Sequence, residues 1–125
     1  MEEVDKAANG IHCKNFDAIL TPADSLVSNG IDSIAKMAIT ERRPVVSSLL
    51  NLVKRGALAS YAADYSVLGR QGAVLVDKIL RGAHPVNLPI ELPRKYTLAF
   101  NLRTTKAIDL KISKELLPRA DEVIE

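Results

Sequence analysis

The chain alternates short apolar runs with stretches in which apolar residues recur every three or four positions. Residues 2–13 read as a helix with Val4, Ala7, Ala8 and Ile11 on one face. Residues 16–21 (FDAILT) form a compact apolar run of the kind that makes a buried strand, and Pro22, lacking an N–H for the ladder, stops it. Asp24 or Ser25 can cap the helix that follows, where Val27, Ile31, Ile34 and Ala38 fall at helical spacing across a weakening Gly30. Pro44 opens a second strand at 45–48, and a short helix over 49–55 stops at Gly56, a natural left-handed position after a helix. Residues 57–61 read as a third strand. The strongest helix covers 66–81, with Leu68, Gly72, Leu75 and Ile79 along one face and Gly82 at its end. The proline-punctuated stretch 84–93 is extended and irregular. Residues 96–101 (YTLAFN) alternate as a strand. Two short helices are expected to close the chain, the last burying Leu116, Leu117, Ala120, Val123 and Ile124.

Strands separated by helices at this spacing are βαβ units, which close right-handed onto a mainly parallel sheet with helices on both faces. The predicted fold is therefore α/β, a three-layer α/β/α arrangement. In open sheets of this class, ligands lie outside the carboxyl ends of the strands. That rule selects Ala23 and Asp24 in the first loop, Ser47 and Ser48 in the second, and Ser60 and Tyr61 in the third, with Thr21 and Asp64 nearby. These groups offer hydroxyls, a carboxylate and backbone amides to a small polar ligand. Helix caps and turns favour the same residue types, and both readings stand on position alone.

Composition narrows the classes. At 125 residues the chain is about one domain long and can bury a core without disulfides. Its 47% apolar content and 4% aromatic content call for a tightly packed aliphatic interior. Seventeen basic and fifteen acidic side chains leave +2, and the basic pairs Arg42-Arg43, Lys54-Arg55 and Arg94-Lys95 are scattered as solvated element ends, so no nucleic-acid face is expected. No stretch approaches the ~20 apolar residues of a membrane span, and the acidic start MEEVDKAANG carries no apolar signal segment.

Signatures of catalysis are missing. There is no phosphate-cradling G-x-x-x-x-G-K-[ST] loop and no G-x-S-x-G elbow. Gly69-Arg70-Gln71-Gly72 falls inside the strongest helix, where close packing explains it. His12 and Cys13 are adjacent, which suits neither a nucleophile–base pair nor a metal clamp, and only His84 remains as a second imidazole. We expect a binder, with no cofactor and no metal.

Three segments carry a resemblance: 56–65 (GALASYAADY), 76–102 (VDKILRGAHPVNLPIELPRKYTLAFNL) and 104–125 (TTKAIDLKISKELLPRADEVIE), with 16–27 (FDAILTPADSLV) upstream. Together they resemble the end of an ABC-transporter substrate-binding protein, of the family that includes tryptophan- and tyrosine-type receptors. Two positions depart from the family's pattern: Asp109 stands where it usually has Gly, and Ser113 where it usually has Pro. Asp109 must accept a left-handed conformation or end its helix another way, and Ser113 can serve as a cap with Glu115 and Leu116 behind it.

The resemblance implies a type I periplasmic-binding-protein architecture, with residues 1–125 as a single α/β domain matching the C-terminal lobe. It further implies that the helix at 65–82 belongs to the other lobe of an intact receptor. It implies hinge closure over an amino acid, docking on a membrane permease, and an extracytoplasmic location for the full-length receptor. A helix stripped of its partner sheet would expose Leu68, Leu75, Val76, Ile79 and Leu80, so homo-oligomerisation through 66–81 is the competing expectation. In that case the chain is an interaction module with no ligand affinity of its own.

Overall fold

The structure is a computed structural model that describes residues 2–10 and 16–125. The expectations for Ile11, His12 and Cys13 lie outside the described residues. In chain order the elements are α1 (Glu2–Gly10), β1 (Ile19–Thr21), α2 (Ser25–Asn29), α3 (Ile31–Thr40), β2 (Val45–Ser47), α4 (Asn51–Lys54), β3 (Ala59–Ala63), α5 (Tyr65–Leu80), β4 (Tyr96–Asn101), α6 (Leu102–Ala107) and β5 (Glu122–Ile124). Two 3-10 turns, Pro85–Asn87 and Leu117–Arg119, interrupt the loops.

The strands form one sheet in the order β1-β2-β3-β4-β5. The ladders β1/β2, β2/β3 and β4/β5 are parallel, as α/β crossovers require. Leu20 lies opposite Val46, which lies opposite Ala59, so β1 and β2 end level with each other while β3 continues past them to Ala63. Alternation places Val45 and Ala59 on opposite faces, and each joins a different apolar cluster. One cluster gathers Ile31, Ile34, Ala38, Val45, Leu52 and Ala57; the other gathers Leu58, Ala59, Phe100 and Ile108. The sheet is thus covered on both sides, as the α/β class predicts.

The chain divides into two compact units, Met1–Ala62 with Thr97–Glu125, and Ala63–Tyr96. The second unit is α5 and the extended segment that returns from it. Asp64 caps α5, its Oδ1 accepting from the amides of Ser66 at 3.0 Å and Val67 at 3.1 Å. Gln71 is the one residue of α5 that is buried, and its amide group binds the returning segment: Nε2 donates to Leu92 O at 3.1 Å, and Oε1 accepts from Arg94 N at 3.0 Å. Several apolar side chains of this unit are exposed, with Val76 at 54%, Leu80 at 81% and Ile90 at 99%, whereas Leu68 and Leu75, expected to be exposed, are half-buried.

Three elements differ from the sequence reading. The helix spanning Val27 to Ala38 is two helices meeting at Gly30, where a Cβ would overlap the side chain of Val4. The third strand lies two residues later than 57–61, because Ala57 and Leu58 complete the turn after α4. Residues 116–124 are not a helix. Pro118 falls in a 3-10 turn, Asp121 then exchanges hydrogen bonds with the backbone of Leu98, and Glu122–Ile124 pairs with β4 as a strand. Leu116 and Val123 consequently stay about two-fifths exposed, at 41% and 39%. Asp109 takes the left-handed alternative with φ 56°, and the Ser113 hydroxyl accepts from Leu116 N across a turn in place of a helix start.

Candidate functional site

Thr21, Ser47 and Ser60 stand side by side on β1, β2 and β3, each opposite the next in the register. Paired residues of neighbouring parallel strands point to the same face, so their hydroxyls form a row that leaves the carboxyl ends of β1 and β2 and crosses β3 at its second residue. All three residues are buried. Ser47 Oγ accepts from Leu49 N at 3.1 Å and so starts the chain into α4. The hydroxyls of Thr21 and Ser60 are buried with no hydrogen-bond partner. An unmatched buried hydroxyl costs about 1–3 kcal/mol.

Outside this row the edge opens into a cleft of about 340 Å³ lined by Leu20, Thr21, Pro22, Ala23 and Ser48. Ser48 closes its wall, since both its amide and its hydroxyl donate to Thr21 O, each at 3.1 Å. Asp24 stands next to the cleft as the N-cap of α2. Its Oδ1 accepts from Leu26 N at 2.8 Å and Val27 N at 3.1 Å. Tyr61 lies one residue past Ser60 on β3 and is 65% exposed.

The six residues selected from the sequence therefore separate by depth. Ala23 and Ser48 line the cleft, Asp24 and Tyr61 are exposed beside the strand ends, and Ser47 and Ser60 lie beneath the surface. Leu20 and Pro22 were not among them, although both line the cleft. A rule that looks only past each strand end skips Leu20, the central residue of β1, which is exposed because β1 is an edge strand of the sheet. Within the described residues, no cluster of three or more His, Cys, Asp or Glu side chains is placed to hold a metal ion.

The sheet order and the parallel ladders, with apolar clusters on both faces, define an α/β fold. Residues 1–124 match the ABC transporter substrate binding protein family, and the chain belongs to it. Among curated relatives, it is 28% identical over 109 residues to the tyrosine-binding protein of Clostridioides difficile, covering 87% of this chain and 31% of that one. It is 25% identical over 103 residues to an uncharacterised protein of Rickettsia prowazekii, covering 82% of this chain and 34% of the relative. The chain thus spans about a third of the length of these relatives.

Solved structures agree on the fold. A conserved domain protein from Vibrio cholerae superimposes with a TM-score of 0.87 at 28% identity, covering 98% of this chain and 41% of that one. An ABC domain from Streptococcus pneumonia in complex with L-Trp gives 0.78 at 23% identity, with the same 98% and 41% coverage.

Proposed function

We propose that the chain is the C-terminal lobe of a solute receptor for an ABC-type importer, and that it binds a small amino acid-like ligand at the ends of β1, β2 and β3. The observation that carries this reading is the row of Thr21, Ser47 and Ser60, in which the Thr21 and Ser60 hydroxyls are buried without a partner near the sheet edge that this fold class uses for ligands. The family membership supports it, and the tyrosine-binding relative and the L-Trp complex of a structural neighbour point to an aromatic amino acid.

In this reading a second lobe closes over the ligand about a hinge. Closure is favoured only by as much as the ligand binds the closed form better than the open one. Ala23 and Ser48 form the wall, Tyr61 meets the ligand from β3, and Asp24 faces its ammonium with the carboxylate oxygen that α2 does not use. Ser47 and Ser60 set the strand ends from below. Helix α5 belongs to the other lobe, which covers its apolar side chains. The receptor works outside the cytoplasm and delivers to a membrane permease; no helix among the described residues is long and apolar enough to cross the membrane itself.

A second reading rests on the apolar side chains of the Ala63–Tyr96 unit. Val76, Leu80, Val86, Ile90 and Leu92 are all more than half exposed. A second copy of the chain covering them would make it an oligomerisation module without ligand affinity. Light scattering separates the two readings: a dimer that dissociates on Leu80→Asp favours the second, and a strict monomer opposes it.

The ligand reading is tested with a chimera in which this chain replaces the matching third of the tyrosine-binding relative. Calorimetry should find L-tyrosine binding in the chimera, weakened at least tenfold by the pair Asp24→Ala and Ser48→Ala. Unchanged affinity in that variant discards the site assignment.

A further inference from the structure

We infer that the cleft at the ends of β1 and β2 receives the uncharged, apolar part of a solute and not its ionised head. This deepens the reading of a solute-binding lobe and rests on it. The polar groups that Thr21, Pro22 and Ser48 bring to the cleft wall are largely engaged or buried. Pro22 has no N–H, and its carbonyl oxygen accepts from Asp24 N at 3.0 Å. Thr21 O takes two hydrogen bonds, from the amide and the hydroxyl of Ser48, which fills its two lone pairs. The Ser48 hydroxyl has given its proton to that bond, and the Thr21 hydroxyl is buried away from solvent.

The side chains that face the cleft are mostly hydrocarbon: the Leu20 side chain, 76% exposed, the Pro22 ring and the Ala23 methyl. No charged side chain is among the five lining residues. An ammonium or carboxylate placed there would give up part of its water and gain no charged partner among the five lining residues. An apolar group gains from burial instead, about 25 cal/mol for each Å² of hydrocarbon removed from water. At about 340 Å³ the cleft lies at the small end of ligand sites, large enough for one ring or one branched alkyl group. The charged head of the solute must then be held by groups beyond these five residues.

The test is a nuclear magnetic resonance titration of the isotope-labelled chain with two probes: indole, a ring with no charge, and glycine, a charged head with no side chain. Indole should shift the amide signals of Leu20, Thr21, Ala23 and Ser48 in a saturable way, and glycine should leave them in place. Ala23→Asp and, separately, Leu20→Thr should each weaken the indole response at least tenfold while the remaining signals keep their positions. Both sites are exposed, so neither change disturbs the core. If glycine moves these signals and indole does not, the apolar assignment is overturned while the solute-binding reading stands. Silence from both probes, or an undiminished indole response in both variants, overturns it as well. The chimera calorimetry then decides separately whether the solute-binding reading survives.

Discussion

Asn101 shows how much one side chain can hold. It ends β4 and caps α6, its Oδ1 accepting from Arg103 N at 3.0 Å and Thr104 N at 3.2 Å. Its Nδ2 donates to Val53 O at 2.8 Å, which ties β4 to α4 in the buried interior. Asn101→Ala removes the cap and one of the hydrogen bonds to Val53 O, which then keeps the 3.3 Å bond from Gly56 N, and should cost about 1–2 kcal/mol in urea denaturation. A loss below about 0.5 kcal/mol would show that the tie to Val53 contributes nothing. Asp64 gives a pH-dependent counterpart. Its pKa is lowered first by the hydrogen bond from the Val67 amide and next by Lys95, whose ammonium lies 3.2 Å away. A lowered folded value means that the stabilisation is complete above the unfolded value, near 3.9, and is lost as pH falls through the folded one. Asp64→Asn retains a capping oxygen but does not titrate. The stability of the wild-type chain should therefore fall more steeply than that of the variant below about pH 4. Parallel curves would contradict the assignment.

At the scale of elements, the sequence was legible where its chemistry was local. Pro22 and Pro44 bracket the first loops, the two aspartates Asp24 and Asp64 mark helix starts, and Gly56 and Gly82 adopt the positive φ expected after a helix. The end of the chain was not legible, because residues 116–124 hold five apolar positions that fit a helix stripe as well as a strand. The choice is made by a distant partner, Leu98, whose backbone takes up both polar groups of Asp121 and delivers Val123 and Ile124 to β4. The break at Gly30 has a similar cause. It depends on α1 crossing at that point, which no window around residue 30 reveals. Gly30→Ala should destabilise by about 1–3 kcal/mol through overpacking. Val4→Ala, by removing the side chain in the way, should recover at least 0.5 kcal/mol of coupling in a double-mutant cycle. Strict additivity would show that α1 does not pack there.

For the whole molecule, the edge of the sheet could be read in advance, but the depth of the residues along it could not. Strand ends follow from the βαβ order, and the register sets Ser47 and Ser60 level with Thr21. Whether a serine there is buried like Ser60 or lines the cleft like Ser48 depends on which way the strand faces, and one residue of register reverses it. The exposed apolar side chains of the Ala63–Tyr96 unit are the second whole-molecule feature, and no local pattern in the sequence fixes which of them are left uncovered.

The central claim is that this chain supplies one wall of a solute site at the carboxyl ends of β1, β2 and β3, and a crystal structure of the chimera with bound L-tyrosine tests it most directly. The ligand should lie against Ala23 and Ser48, within reach of Tyr61. A ligand seated at the opposite edge of the sheet, below Ile19 and Val45, would contradict it.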